Sequence, residues 1–233
     1  MRVFNCECMI DDFEKYISDI PVALLYDFCN AFPSLLHQWM FLVLKALQIS
    51  ESFQYFVRNM YTNIKAYSSG VGDGTFLFYV FRGIKTGCPL SSILFLLCIN
   101  PFVHLFNWLS ERPGLSVTRV CADDLSSALK HLRALEIQYS IFKLAAPVAG
   151  LHLKSAKCVL IVSRIDLTEH LVSSIRRWLS VNVPEFINIR IADHGKYLGW
   201  YLGKEDVSRS CEAPLLNSRI VCRKLLKDLP PCI

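Results

Sequence analysis

Pro21-Val22-Ala23-Leu24-Leu25-Tyr26-Asp27 and Ser116-Val117-Thr118-Arg119-Val120-Cys121-Ala122-Asp123-Asp124 are the two stretches that decide the fold of this chain. Each is a short apolar run that ends in carboxylate, Asp27 in the first and the pair Asp123-Asp124 in the second. Short apolar runs bounded by breakers read as buried strands. A carboxylate at the end of a buried strand loses hydration, and that costs free energy unless it is paired or bound to metal. Two such strand ends brought together would make a site for divalent cations.

The rest of the chain is compatible with such a core. It has 233 residues, of which 53% are hydrophobic and 19% charged, which excludes a disordered or collagen-like polymer. The formal net charge of +5 is unevenly placed. Residues 1–153 carry 12 Lys+Arg against 12 Asp+Glu, and residues 154–233 carry 13 against 8, so the excess lies in the last third. A basic end region suits either phosphate backbones or ordinary solvated helix faces. The ten cysteines include no CxxC pair, and Glu7, Asp11, Asp12, Glu14 and Asp19 leave no apolar signal segment at the start. Reduced, mostly buried thiols and an intracellular location, cytoplasmic or nuclear and not secreted, are expected. Leu90–Leu109 approaches the length of a bilayer span, but Asn100, Pro101, His104 and Asn107 interrupt it. A buried core helix away from any membrane is expected there.

Along the chain, Pro21–Phe28 predicts a strand and Ser34–Gln48 a helix that Ser52–Tyr61 continues. Asn63–Tyr67 and Thr75–Phe81 predict a hairpin around a glycine-rich loop, and Ser91–Leu109 the long helix. Ser116–Ala122 and Leu125–Lys130 predict a second hairpin with Asp123-Asp124 in its turn, then a helix over His131–Val148 and a strand over Lys157–Val162. Leu167–Leu179 is amphipathic, Ile187–Ile191 and Tyr197–Leu202 look like a hairpin around Gly195, and Asn217–Leu229 begins a further helix. Strands interleaved with helices and hairpins imply an α+β fold with an antiparallel sheet flanked by helices.

Transfer of a nucleotide to a growing strand uses two metal ions that activate the attacking hydroxyl and stabilise the leaving oxygen. Hard oxygen ligands suit that task, and Mg²⁺ takes one or two carboxylates per ion while keeping waters. Taken alone, Asp123-Asp124 would equally be a polar hairpin turn. The surrounding residues resemble a known family. Ala122-Asp123-Asp124-Leu125 after an apolar strand resembles the (Tyr/Phe)-Ala-Asp-Asp box of reverse transcriptases, and Asp27-Phe28-Cys29-Asn30-Ala31-Phe32-Pro33-Ser34-Leu35-Leu36-His37 resembles their first catalytic box. Phe81-Arg82-Gly83-Ile84-Lys85-Thr86-Gly87-Cys88-Pro89-Leu90-Ser91 is similar to the Gly-Val-Arg-Gln-Gly-Cys-Pro-Leu-Ser box of the non-LTR retrotransposon type. Gly150–Lys157 resembles the following GLxLNxxK element, and Lys196-Tyr197-Leu198-Gly199 the later KYLG turn. The five motifs stand in the family's order. Primases, RNA-dependent RNA polymerases and nucleotide cyclases share the palm, but the Gly-Cys-Pro-Leu-Ser box favours reverse transcriptase.

The resemblance implies RNA-directed DNA polymerase activity, with an RNA template, a DNA primer and deoxynucleoside triphosphates as partners and two Mg²⁺ or Mn²⁺ ions as cofactors. Asp27, Asp123 and Asp124 would be catalytic and hold the metals. Phe28, Asn30, Ala31, Phe32, Gly87 and Lys157 would meet the nucleotide, through the backbone amides of Phe28–Ala31 and, at Phe32, through a ring that excludes a 2′-hydroxyl. Phe32 could equally be a core residue at a helix start, and Lys157 an exposed strand lysine. Arg82, Lys85, Thr86, Pro89, Lys196, Tyr197, Leu198 and Gly199 would contact template and primer, the last four being also compatible with a plain β-turn. The chain departs from the pattern at Pro33, Thr86 and Cys121, where the family has a second Asp, a Gln and an aromatic.

Residues 21–203 would form the palm, with 1–20 a leader or remnant of fingers and 204–233 the start of a thumb or connection helix. Only 26 residues precede Asp27, so the fingers are expected to be largely absent and the thumb truncated, with a fingers segment or partner chain supplied from elsewhere. The alternative expectation is an inactive retrotransposon relic that keeps the palm fold and at most binds nucleic acid.

Overall fold

The computed structural model describes residues 15–68, 74–85, 87–111, 115–121, 124–162, 165–198 and 200–203. The Asn217–Leu229 helix expected from sequence lies outside them.

A five-stranded sheet in the order β4-β5-β1-β6-β7 organises the molecule. Its strands are β1 (Val22–Tyr26), β4 (Ser116–Cys121), β5 (Asp124–Leu129), β6 (Val159–Val162) and β7 (Arg190–Ala192). β1 lies at the centre, antiparallel to both β5 and β6, and β4 is antiparallel to β5. The sheet departs from the antiparallel expectation at one edge, where β7 runs parallel to β6. Parallel neighbours need a crossover connection. Here that connection is a helix over Glu169–Asn182, packed through buried Leu171, Ile175 and Leu179.

Strand alternation assigns the two faces. Val22, Leu24 and Tyr26 of β1, Leu125, Ser127 and Leu129 of β5, and Ser116 and Thr118 of β4 are buried on one side. The long helix Ser91–Glu111 and the helix Ala134–Ala149 cover that side. The first contributes Leu94, Phe95, Cys98, Ile99, Phe102 and Phe106 to the core. Among the described residues it is the one helix long and apolar enough to cross a membrane. It is fastened into the protein: the Trp39 indole donates to the Cys98 carbonyl at 2.9 Å and the Thr118 amide donates to Asn107 Oδ1 at 3.1 Å. The Ala134–Ala149 helix buries residues 134, 135, 138, 141, 142, 145 and 149, a single stripe at helical spacing, and ends at Gly150 with φ 77°.

The second face is thinly covered. A hairpin of β8 (His194–Tyr197) and β9 (Trp200–Gly203) sits over β6 and β1, with Gly195 against Ile161 and Leu25. Val117, Arg119, Asp124 and Ala128 on the β4–β5 side are exposed. A separate two-stranded hairpin of β2 (Ile64–Tyr67) and β3 (Phe76–Val80) is not part of the main sheet.

Several element boundaries differ from the sequence expectation. The helix expected over Ser34–Gln48 is broken into one turn, α1 (Ala31–Ser34), and α2 (His37–Ala46). The break at Leu35-Leu36 is held by long-range bonds: the Leu36 amide donates to the Ala149 carbonyl at 2.9 Å, and Leu36 bridges to Arg82. The next helix, α3 (Glu51–Tyr61), is likewise separate, after a turn with Gln48 at φ 54°. Ser155–Lys157 is a 3₁₀ turn, so β6 begins at Val159 and not at Lys157. The hairpin expected around Gly195 is displaced, because residues 190–192 join the main sheet and Gly195 lies inside β8.

Candidate active site

The register of β1 against β5 creates the site. Val22 faces Leu129 and Tyr26 faces Leu125, so the residues next outward, Asp27 and Asp124, come side by side at the same end of the sheet. Successive strand residues point to opposite faces. Tyr26 and Leu125 point into the core, which turns Asp27 and Asp124 to the thinly covered face. Together with Leu25, Tyr26, Phe28, Lys157, Val159 and Lys196 they line a cleft of about 220 Å³. Asp123 lies outside the described residues, and among the described residues no three His, Cys, Asp or Glu side chains gather into a metal-binding group.

Asp27 stands on a rigid base. Its carbonyl accepts from the Lys154 amide at 2.8 Å, its own amide donates to Cys158 Sγ at 3.4 Å, and the Cys29 amide donates to the His152 carbonyl at 2.7 Å. Phe28 pairs with Leu153 in an antiparallel bridge. Burial pushes the Cys158 thiol up to about 11, with the nearby Asp27 also raising it and the backbone hydrogen bond opposing, so an uncharged thiol underlies the acid. Lys157 Nζ is 3.9 Å from Asp27 Oδ2, and both side chains are about half exposed, so this pair adds little stability and leaves the ammonium able to move to another anion.

The rest of the first box turns away from β1 through Asn30 at φ 53°, and the Ser34 hydroxyl donates to the Cys29 carbonyl. Phe28 is buried and packs edge-on near Phe142, so any contact it makes with a nucleotide is through backbone. The Cys29 amide is already committed to His152, which removes one of the four amides expected to hold phosphate. Ala31 is buried. Phe32 is half-buried and stacks on Phe95 at 4.5 Å, one ring face supported from the core.

The glycine box packs against this turn. The Gly83 amide donates to the Leu35 carbonyl at 2.7 Å, the Ile84 amide to Phe32 at 2.8 Å, and His37 Nε2 lies 2.8 Å from the Gly83 carbonyl. Gly83 has φ 93°, and a Cβ there would lie 2.8 Å from the Pro33 carbonyl oxygen. Only glycine lets the two boxes approach this closely. Arg82, Lys85, Gly87 and Pro89 are exposed beyond the contact, and the Lys85 amide donates to the Tyr61 hydroxyl at 3.3 Å. Thr86 lies outside the described residues.

The KYLG turn closes the other side. Lys196 lines the cleft, the Tyr197 hydroxyl donates to the Asp124 carbonyl at 3.4 Å, and Leu198 is exposed with φ 49°. Gly199 lies outside the described residues.

Beneath the site runs a polar network that sequence reading missed. The Tyr26 hydroxyl donates to Gln138 Oε1, whose Nε2 donates to Ser116 Oγ and Thr118 Oγ1, each at 3.2 Å. Thr118 and Ser127 hydroxyls meet at 2.8 Å. All five side chains are buried, and they tie β1, β4 and β5 to the helix Ala134–Ala149 just behind the two acids. The readable signal is Gln138, a polar residue inside an otherwise apolar helical stripe.

A family described as reverse transcriptase (RNA-dependent DNA polymerase) matches residues 13–202. The chain is 30% identical over 143 residues to the retrovirus-related Pol polyprotein from type-1 retrotransposable element R2 of Popillia japonica, a match covering 57% of this chain and 23% of that protein. It is 26% identical over 187 residues to the corresponding polyprotein from type-2 retrotransposable element R2DM of Drosophila melanogaster, covering 79% of this chain and 17% of that one. The chain thus spans about a fifth of the length of these curated relatives. Telomerase from Candida albicans, solved in complex with a TWJ fragment of telomeric RNA, superposes with a TM-score of 0.59 at 10% identity over 89% of this chain and 33% of that one. At that identity the likeness is one of fold.

Proposed function

The chain belongs to the reverse transcriptase (RNA-dependent DNA polymerase) family, of non-LTR retrotransposon type, and from that premise we propose that its cleft is the site where deoxynucleotides are added to a primer on an RNA template. The observation that carries this is the β1–β5 register, which sets Asp27 beside Asp124 on the thinly covered face.

The donor set fits hard divalent cations: carboxylate oxygens at two strand ends, open to solvent and flanked by lysines rather than soft ligands. Asp27, Asp124 and the adjacent Asp123 would hold two Mg²⁺ or Mn²⁺ ions, which supply the positive charge that makes the primer hydroxyl nucleophilic and stabilises the leaving pyrophosphate. The chain's own residues do the placing. Phe32, backed by Phe95, is the floor for the incoming sugar, and its fixed ring disfavours a 2′-hydroxyl. Asn30, Ala31 and the backbone of Phe28 would turn around the triphosphate, and Gly87 would meet the nucleotide from the glycine box. Lys157 leaves Asp27 for the anionic phosphates and offers a proton to pyrophosphate. Lys196, Tyr197, Leu198 and Gly199 support the primer end, with Tyr197 anchored to Asp124. Arg82, Lys85, Thr86 and Pro89 guide the template.

The test is primer extension on RNA with deoxynucleotides and Mg²⁺, using this chain. Asp124→Asn and Asp27→Asn should each lower extension by more than about a hundredfold, the scale of losing a group used mainly in the transition state. Extension that survives either change removes the proposed site. Absence of extension with RNA binding retained would identify an inactive relic instead.

A further inference from the structure

The β2–β3 hairpin stands apart from the sheet and from the cleft, and its side chains are placed unusually. Every residue of Phe76–Tyr79 in β3 is exposed although all four are apolar or aromatic. Four rings form a continuous row: Tyr67 to Phe76 at 6.2 Å, Phe76 to Tyr79 at 5.1 Å and Tyr79 to Phe81 at 6.2 Å between centroids. These rings are 55%, 45%, 45% and 75% exposed in that order, so each keeps surface open to solvent. Lys65 Nζ lies 5.9 Å from the Tyr79 ring centroid, and exposed Arg82 and Lys85 follow at the base of the hairpin. Among its described residues, 64–68 and 74–85, there is no Asp or Glu.

Aromatic rings and arginine are also enriched at protein interfaces, so the charge beside these rings is what selects the partner. Rings interleaved with Lys65, Arg82 and Lys85, against the one acid of the hairpin sequence at Asp73, suit a polyanion whose units have flat faces. Successive bases of an unpaired strand stack on such rings without regard to sequence, and the cations follow the phosphates. The hairpin is also continuous with the glycine box, through the Leu36–Arg82 bridge and the Gly83 and Ile84 amides bonded to the 32–35 turn.

We propose that Tyr67, Phe76, Tyr79 and Phe81, with Lys65 and Arg82, form a stacking platform for single-stranded RNA, which holds the unpaired template before it reaches the cleft. The choice of RNA rests on the function proposed above. The platform itself rests on the ring row and the charge.

Binding of a fluorescent single-stranded RNA oligonucleotide to the full chain tests it. Tyr79→Ala and Phe81→Ala should each weaken binding on the order of tenfold. Phe81→Trp should retain affinity and Phe81→Leu should lose it, which separates stacking from apolar burial. Duplex RNA should bind the Tyr79→Ala protein as well as the parent. The exposed positions allow the variants to fold, and unchanged thermal melting checks that. Equal affinity of parent, Phe81→Leu and Tyr79→Ala overturns the platform, as does a parent that sediments as a dimer when the variants are monomers, because the hairpin would then bind a second copy. Preference for single-stranded DNA over RNA overturns the template assignment. Asp27→Asn distinguishes this proposal from the active-site one: it should keep single-strand affinity while losing extension. Ring-dependent RNA binding without any extension leaves the platform standing and removes the catalytic proposal.

Discussion

β1 and β3 are both five-residue apolar strands, Val-Ala-Leu-Leu-Tyr and Phe-Leu-Phe-Tyr-Val, and they have opposite fates. β1 alternates between buried and half-buried along its length because strands flank it on both sides and helices cover one face. β3 has one partner strand, and its four leading residues are exposed. Apolar composition therefore says that a strand forms, while the number of neighbours says whether it becomes core or surface. In this molecule the contrast divides two tasks. The enclosed strand gives a fixed mount for a carboxylate, and the uncovered one presents rings outward.

The contrast can be broken most directly at Leu24. It is fully buried at the centre of β1, so Leu24→Ala should cost about 2–5 kcal/mol through lost transfer energy and a residual cavity. A smaller loss in denaturant unfolding would mean β1 is not enclosed. Gly150→Ala should follow, at about 1–3 kcal/mol, because φ is 77° and an added Cβ would meet the Ser34 carbonyl oxygen, forcing the first box away from the helix that ends there. Its distinguishing readout is a larger fall in nucleotide affinity than a surface change of equal stability produces.

Gln138→Leu tests whether the enclosed region depends on its polar network. Removing one member leaves buried hydroxyls without partners, at about 1–3 kcal/mol. Tyr26, just before Asp27, should then lose its anchor, so metal-dependent extension should fall more than stability does. At the small end, Phe78→Ser in β3 should change stability by no more than about 0.5 kcal/mol, since the ring is 58% exposed. A loss near that of Leu24→Ala would show that β3 is covered in solution.

Thiol chemistry sharpens the same contrast without altering stability. Cys158 has its thiol held up at about 11 by burial, while Cys29 and Cys121 are exposed. A raised thiol value favours the neutral form until the pH passes it, so at about pH 9 alkylation should label Cys29 and Cys121 and spare Cys158, as read by peptide mass mapping.

Much of the fold was readable because its signals are local. The strands ending at Asp27 and before Asp123, the hairpins at 63–81 and 116–130, and the helices expected over 91–109 and 131–148 announce themselves by apolar period and by breakers. Where local signals failed, distant partners had won. Ser34–Gln48 has helical spacing throughout, yet Leu36 gives its amide to Ala149 and bridges to Arg82, and the helix breaks. Ile187–Ile191 reads as half of a hairpin, but residues 190–192 find β6 as a parallel neighbour.

By itself the sequence determined the residue types and their order: acids at strand ends, a glycine-bounded box between them, and a later Lys-Tyr-Leu-Gly turn. Those are chemical facts carried along one dimension. Only the tertiary structure decided that Asp27 and Asp124 share an end of the sheet and a face, because that depends on a register, and a slip of one residue would turn one acid toward the core. The same holds for the uncovered rings of β3. Solvent exposure is a property of what lies opposite a side chain, and nothing in the run Phe-Leu-Phe-Tyr-Val states what will lie opposite it.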